Sequence, residues 1–258
     1  METNPLFAEE RKQKIVDLVT EKRKATVDEL CLRFSVSAAT IRNDLRDLEQ
    51  QGLLLRTHGG AMMKTKTALE PTSNQKEVRN LQAKKAIARA ALALIEDGDT
   101  IILDTGSTTV ELARILGNRN NITVITNDIA IAMMLEGSEK LNVLIMGGLL
   151  RRNFHCTVGA PGISMLSAFS VDKAFMGANG FSLAKGATTP DMNHAETKKA
   201  MMAIASKVVL LCDSSKLEQP SFAQFAPAEA IDTLVTEAID GAARAQYEEA
   251  GIEVIVAG

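Results

Sequence analysis

Arg42, Asn43 and Arg46, in the stretch SVSAATIRNDLRDLEQQG, recur at the spacing of one helix face. Arginine can bridge O6 and N7 of guanine, and asparagine can pair with adenine, in a major groove that admits one helix. Ser37 and Thr40 stand where the hydroxyls and amides of a helix start would meet phosphate. Arg56 and His58 follow, near the tip of a hairpin read from LLLRTHGGAM. A second set lies further along: Thr105, Gly106, Ser107, Thr108 and Thr109 in TGSTT, then Asn127, Arg151 and Arg152, Asn179, Asp213 and Lys216. A glycine, hydroxyls and free helix amides suit a phosphate, and carboxylates suit sugar hydroxyls. The shared ligand would be small, anionic and hydroxylated, which describes a sugar phosphate.

Both sets need elements to position them. Phe7 to Glu21 reads as an amphipathic helix through Ile15, Leu18 and Val19. Thr26 with Glu29 has the spacing of a capping box for a second helix, with Val27, Leu30 and Phe34 inward. Ser37 caps a third helix ending near Gly52, with Ile41, Leu45 and Leu48 on its core face and Asp44 and Asp47 on a solvated flank. A charged stripe alone is the ordinary outside of a helix. Two short helices, a tight connector, a striped third helix and a basic hairpin are instead the order of a winged helix-turn-helix, residues 1–63.

Residues 64–76 are polar, Pro-containing and aperiodic, and read as a connector. An Ala- and Lys-rich helix is expected over about 77–95, and the remainder of 77–258 alternates helical segments with short β-branched runs: TIILD, ITVIT, NVLIM, DKAFMG, KVVLLCD, DTLVTE and IEVIV. The expected fold is therefore α/β, with a mostly parallel sheet and helices on its faces. Ligands of such sheets bind beyond the C-terminal strand ends, and the second set of polar residues follows those runs.

Charge is uneven. Residues 1–66 hold 12 Lys and Arg against 10 Asp and Glu, whereas residues 67–258 hold 17 against 22, within a net charge of −3. Cys31, Cys156 and Cys212 are too few and too scattered for a disulfide framework, so a cytoplasmic setting is expected. The sequence has no run of about 18 apolar residues, the length that would span a membrane, so no membrane span is expected. His194 to Glu196 start like a deaminase zinc motif, but no Pro-Cys-x-x-Cys follows, and no Walker loop or Gly-x-Gly-x-x-Gly is present. Neither a metal nor a nucleotide cofactor is expected.

VSAATIRNDLRDLEQQGLLLRTHGGA resembles the DNA-binding signature of the DeoR family of bacterial transcription regulators, with Arg42, Asp44, Arg56, His58, Gly59 and Gly60 matching. The family commonly has two arginines where this chain has Arg42-Asn43. DTGSTTVELA, TNDIAIA, GGLLR, FMGANGF, GATTPD, AETKKAMM and DSSK resemble, in order, the family's effector domain, which is similar to sugar-phosphate isomerases of the ribose-5-phosphate type. The resemblance implies a repressor of a carbohydrate-utilisation operon, binding double-stranded operator DNA as a homodimer or homotetramer and sensing a phosphorylated sugar. It assigns effector contacts to Asp104, Gly106, Ser107, Thr108, Thr109, Asn127, Arg151, Asn179, Glu196, Asp213 and Lys216. An isomerase-like enzyme is the alternative, since Glu196, Asp213 and Lys216 have the residue types of enediol chemistry.

Overall fold

The computed structural model describes residues 7–22, 24–51, 53–57, 59–62 and 70–258. The chain divides into two compact units, Met1–Pro71 and Thr72–Gly258.

The first unit contains α1 (Ala8–Lys22), β1 (Lys24–Thr26), α2 (Val27–Phe34), α3 (Ala38–Gln50), β2 (Leu55–Thr57) and β3 (Gly60–Met62). The apolar residues expected at helical spacing meet in one core, where Ile15, Leu18 and Val19 pack with Leu30, Phe34, Ile41, Leu45 and Leu48. Thr26 caps α2 by accepting the Glu29 amide at 3.2 Å. Glu29 gives its carboxylate to Lys22 instead of closing the expected box. Ser35 ends α2 in the left-handed region at φ 54°, and Ser37 accepts the Thr40 amide at 3.1 Å to start α3. The turn between the two helices therefore takes only three residues. Strand β1 was not foreseen, and it completes a sheet of order β1-β3-β2. Gly60 makes that sheet possible, because a Cβ there would lie 2.1 Å from the Ala25 carbonyl oxygen.

The second unit opens with α4 (Ser73–Val78), α5 (Leu81–Leu92), β4 (Thr100–Leu103), α6 (Ser107–Leu116), β5 (Ile122–Thr126), α7 (Ile129–Leu135) and β6 (Leu141–Ile145). It continues through β7 (Leu149–Arg151), β8 (Cys156–Val158), α8 (Ala160–Leu166), β9 (Val171–Gly177), β10 (Gly180–Ser182), β11 (Gly186–Thr189) and α9 (Met192–Ala203). Last come β12 (Ala205–Leu211), β13 (Ala223–Ala226), β14 (Thr233–Thr236), α10 (Gly241–Glu249) and β15 (Glu253–Val256).

The seven β-branched runs form one sheet of order β15-β14-β12-β9-β4-β5-β6, and every pairing in it is parallel. Its strands alternate between two cores. Ile101 and Leu103 face α5, α6 and α7, while Ile102 faces the side of α8, α9 and α10. From β4 the chain builds outward through β5 and β6, then returns to β9 on the other side of β4 and builds the opposite way. That reversal makes the C-terminal ends of β4 and β9 the topological switch point, the place where such sheets bind ligands.

Two expectations need correction. The connector read over 64–76 ends earlier, because α4 begins at Ser73 behind a capping box in which Thr72 and Gln75 satisfy each other's amides; residues 64–69 lie outside the described residues. No residue of α4 is buried, so it carries no apolar period to read. The next helix starts at Leu81 instead of near 77, since Asn80 takes a left-handed backbone at φ 52°.

Candidate functional site

In the first unit, α3 exposes Ala39, Arg42, Asn43 and Arg46 on the side opposite Ile41, Leu45 and Leu48. Ser37 and Thr40 lie at its start with their hydroxyls 2.9 Å apart. Asp44 is not on a solvated flank. It is 4% exposed, and its carboxylate accepts Nε of Arg11 at 2.6 Å and a second guanidinium nitrogen at 3.2 Å. Asp47 pairs with Lys12 at 2.7 Å, so two acidic residues fix α3 to α1 and leave the basic stripe outward. Burial disfavours a charged Arg11, but its hydrogen bonds to Asp44 outweigh that and raise its pKa. Arg56 sits in the middle of the three-residue β2, one residue before the strand ends at the turn, and its backbone amide donates to Glu49 at 3.0 Å. His58 lies outside the described residues.

In the second unit, the expected residues line four adjacent strand ends: Asp213 after β12, Asn179 after β9, Asp104 after β4 and Asn127 after β5. At about 4.8 Å per strand they span roughly 14 Å. Asp104 lies at the switch, fully buried. Its Oδ2 accepts the Gly177 amide at 2.9 Å and the ammonium of Lys198, which also donates to the Gly177 carbonyl at 3.0 Å. His194 Nε2 lies 3.8 Å from Oδ1. Burial alone would raise the carboxyl's pKa, but the Lys198 charge and His194 hold it below the ordinary value. Asp104 is therefore an ionised acceptor fixed between two strands.

The turn after Asp104 is held from β5. The Thr105 amide donates to Asn127 Oδ1 at 3.2 Å, and its hydroxyl donates to Asp128 at 2.5 Å. The Asn127 amide group donates in turn to the Thr157 carbonyl at 2.9 Å, so this fully buried asparagine fastens the turn with both ends of its side chain. Asp128 also caps α7, and burial pushes its carboxyl above the usual range despite those hydrogen bonds.

Helix α6 then starts on Gly106, which supplies no side-chain cap. Thr109 is fully buried and its hydroxyl donates to the Gly106 carbonyl at 2.7 Å. Thr108 is also buried, which leaves Ser107 as the half-exposed hydroxyl of the three. An uncapped first turn with a hydroxyl at its mouth can receive an anion.

Two cations flank this centre. Lys216 lies 3.3 Å from Asp213, whose other oxygen accepts Asn80 at 3.0 Å and the Ser215 hydroxyl. Burial opposes ionisation of Asp213, and Lys216, Ser215 and Asn80 overcome it. Arg151 stacks 3.8 Å over the Phe154 ring and reaches Asp191, while Arg152 is exposed. Asn179 is half-buried and accepts the Thr189 hydroxyl at 3.3 Å. Glu196 does not join them. It is 63% exposed and pairs with Lys199 at 2.8 Å. The inward face of α9 carries His194, Thr197, Lys198 and Met201. His194 and Lys198, which hold Asp104, are the pair the sequence reading does not single out, although their i, i+4 spacing in HAETKK marks them as one helix face. Two other clefts, of about 790 Å³ beside β1 and β3 and about 380 Å³ between α9 and β13, contain none of these residues.

A three-helix head with a β-wing, followed by a parallel α/β unit with polar residues gathered at its switch point, defines a helix-turn-helix protein with a sensor-type second unit. Residues 11–67 match the DeoR-like helix-turn-helix domain, and residues 79–238 match the DeoR C terminal sensor domain. The chain belongs to the DeoR family. It is 40% identical to the HTH-type transcriptional regulator GlpR of Haloferax volcanii, over 95% of this chain and 96% of that protein. It is 34% identical to the HTH-type transcriptional regulator GolR of Listeria innocua, over 98% of this chain and all of that one. Among solved structures, ribose 5-phosphate isomerase A of Methanocaldococcus jannaschii is similar at a TM-score of 0.41 and 25% identity, over 54% of this chain and 55% of that one. No described helix is long and apolar enough to cross a membrane, and no cluster of three metal-ligating side chains occurs among the described residues.

Proposed function

We propose that this chain is a repressor of a carbohydrate-utilisation operon whose hold on operator DNA is set by a phosphorylated sugar in the switch-point crevice. The uncapped start of α6 carries this reading, because it follows directly on the ionised Asp104, with the ionised Asp213 two strands away at the same end of the sheet. Amides and Ser107 suit a phosphate, Lys216 and Arg151 supply positive charge, and Asp213 can accept sugar hydroxyls. Glycine at the cap leaves those amides to the ligand, whereas α3, α7 and α9 spend theirs on Ser37, Asp128 and Asp191.

At the other end, Arg42, Asn43 and Arg46 read base edges, and Ser37, Thr40 and Arg56 hold the backbone. Two or more copies place α3 in successive major grooves about one helical turn, or a multiple, apart. The ligand acts only by preferring one arrangement of the protein over another, and release from DNA is the direction we assign.

Enzymatic isomerisation fits less well. Glu196 faces solvent, Asp104 is fixed to Lys198 and Gly177, and Asp213 is occupied by Asn80, Ser215 and Lys216. None is placed to shuttle a proton.

The test is thermal unfolding against a panel of sugar phosphates beside the unphosphorylated sugars. A ligand at about 100 times its Kd stabilises what it binds by roughly 2.7 kcal/mol. A shift with one phosphate ester, absent with its parent sugar and lost in Ser107→Ala with Lys216→Ala, supports the site. No shift with any ester refutes it.

A further inference from the structure

Helix α4 is too short to persist on its own merits. It buries no residue, and Val78 is 71% exposed. Beyond its capping box, α4 is tethered at both ends. The Ser73 amide donates to the Asn153 carbonyl at 3.0 Å, and the Lys76 ammonium lies 5.6 Å from the centre of the Phe154 ring. At the other end, Lys84 of α5, itself 3% exposed, donates to the carbonyls of Lys76 and Arg79 and so satisfies the helix C-terminus.

Both anchor points are next to candidate effector residues. Phe154 carries the Arg151 guanidinium on its ring. Asn80, between α4 and α5, donates to Asp213 at 3.0 Å and to the Ser215 hydroxyl at 3.2 Å. In sequence, α4 is the first element after the stretch that leads from the DNA-binding unit.

We infer that α4 is the transmitting element of this protein, and that Asn80 and Lys84 are positioning residues through which an anionic ligand at Asp213 and Lys216 sets the order of α4. This deepens the proposed function and rests on it. The physical route is electrostatic. Burial and the neighbouring Lys216 lower the Lys84 pKa to about 8, with Asp213 opposing. A phosphate at Lys216 counters the repulsion between the two ammonium groups and lets Lys84 hold the C-terminal carbonyls of α4 more firmly. Asn80 carries the second route, because any shift of Asp213 toward a ligand hydroxyl pulls on the left-handed residue that joins the two helices.

Two substitutions separate transmission from binding. Lys84→Met removes the ammonium and keeps most of the apolar stem. Asn80→Gly removes the amide bridge and keeps the left-handed backbone at little steric cost. The probe is whichever of glucose 6-phosphate, fructose 6-phosphate, glucosamine 6-phosphate and glycerol 3-phosphate shifts wild-type unfolding. The readouts are DNA affinity with and without it, and hydrogen exchange of the Ser73–Val78 amides. In the wild type, the ester changes DNA affinity by at least fivefold and slows exchange in α4. In either variant that folds, ligand-free DNA affinity stays within about threefold of wild type, while the ligand-induced change falls below twofold and the gain in α4 protection disappears. A variant that still unfolds later with the ester and still changes DNA affinity like wild type overturns the inference while leaving the proposed function intact. A wild type that responds to none of the esters overturns both.

Discussion

Replacing Lys198 with Met should be the most costly single change in the second unit. Lys198 is 2% exposed and Asp104 is fully buried. The ammonium serves Asp104 Oδ2 and the Gly177 carbonyl, with the Phe225 ring 5.1 Å away. Without it, Asp104 keeps one amide at 2.9 Å and a histidine nitrogen at 3.8 Å, deep between two strands. Breaking a buried ion pair by removing one partner costs about 3–5 kcal/mol, which for a unit of this size lowers the midpoint by roughly 10 °C. The cost must depend on pH. In the wild type the Asp104 pKa is depressed, so its contribution is present above the ordinary carboxyl value and is lost as pH falls through the folded one. In Lys198→Met the same carboxyl is raised by burial, so the penalty is full at neutral pH and shrinks toward about pH 4. Urea denaturation of both proteins at about pH 7 and pH 4.5 measures the difference. The double variant Asp104→Asn with Lys198→Met removes the charge and should recover at least half the loss. A cost below about 1 kcal/mol at neutral pH, or an equal cost at both pH values, refutes the buried-pair account.

Other substitutions test the remaining parts. Arg42→Ala should cost about 1–3 kcal/mol on the preferred operator and relax specificity at one base position, as read by competition binding; an equal loss on every sequence would make Arg42 a phosphate contact. Arg11→Met should leave Asp44 unpaired, lower the stability of the first unit by about 1–3 kcal/mol and weaken DNA binding, because α3 loses one of its two ion-pair ties to α1. Glu196→Gln should leave the thermal shift with the active sugar phosphate unchanged, since that side chain lies outside the crevice; loss of the shift would return Glu196 to the site.

The large features of the fold were legible for a simple reason. Strands buried on both faces read as β-branched runs, as the inner strands of the main sheet do, and the edge strands β6 and β15, though largely unburied, carry similar apolar runs. The pieces that escaped are small and are fixed by tertiary contact. Strands β1, β7, β8, β10, β11 and β13 are three or four residues long, too short to show alternation. Helix α4 has no apolar face at all. At the site, residue types at strand ends were readable, but the direction in which a helix side chain points was not. Helix α9 offers both Glu196 and Lys198, and only packing of Ala195 and Met201 against the sheet turns Lys198 inward. Likewise Asp44 reads as a surface charge until Arg11 is brought beside it from 33 residues away.

The central claim is that one molecule joins a sugar-phosphate site to a DNA-reading helix. Its most direct test is the affinity of the full chain for an operator selected from random sequence, measured at one fixed salt concentration with and without the sugar phosphate that raises its unfolding temperature. A saturating ester should weaken operator binding by about 5–150-fold, the usual range for coupled sites, and the parent sugar should have no effect. An operator affinity that stays the same while the ester is demonstrably bound would contradict it.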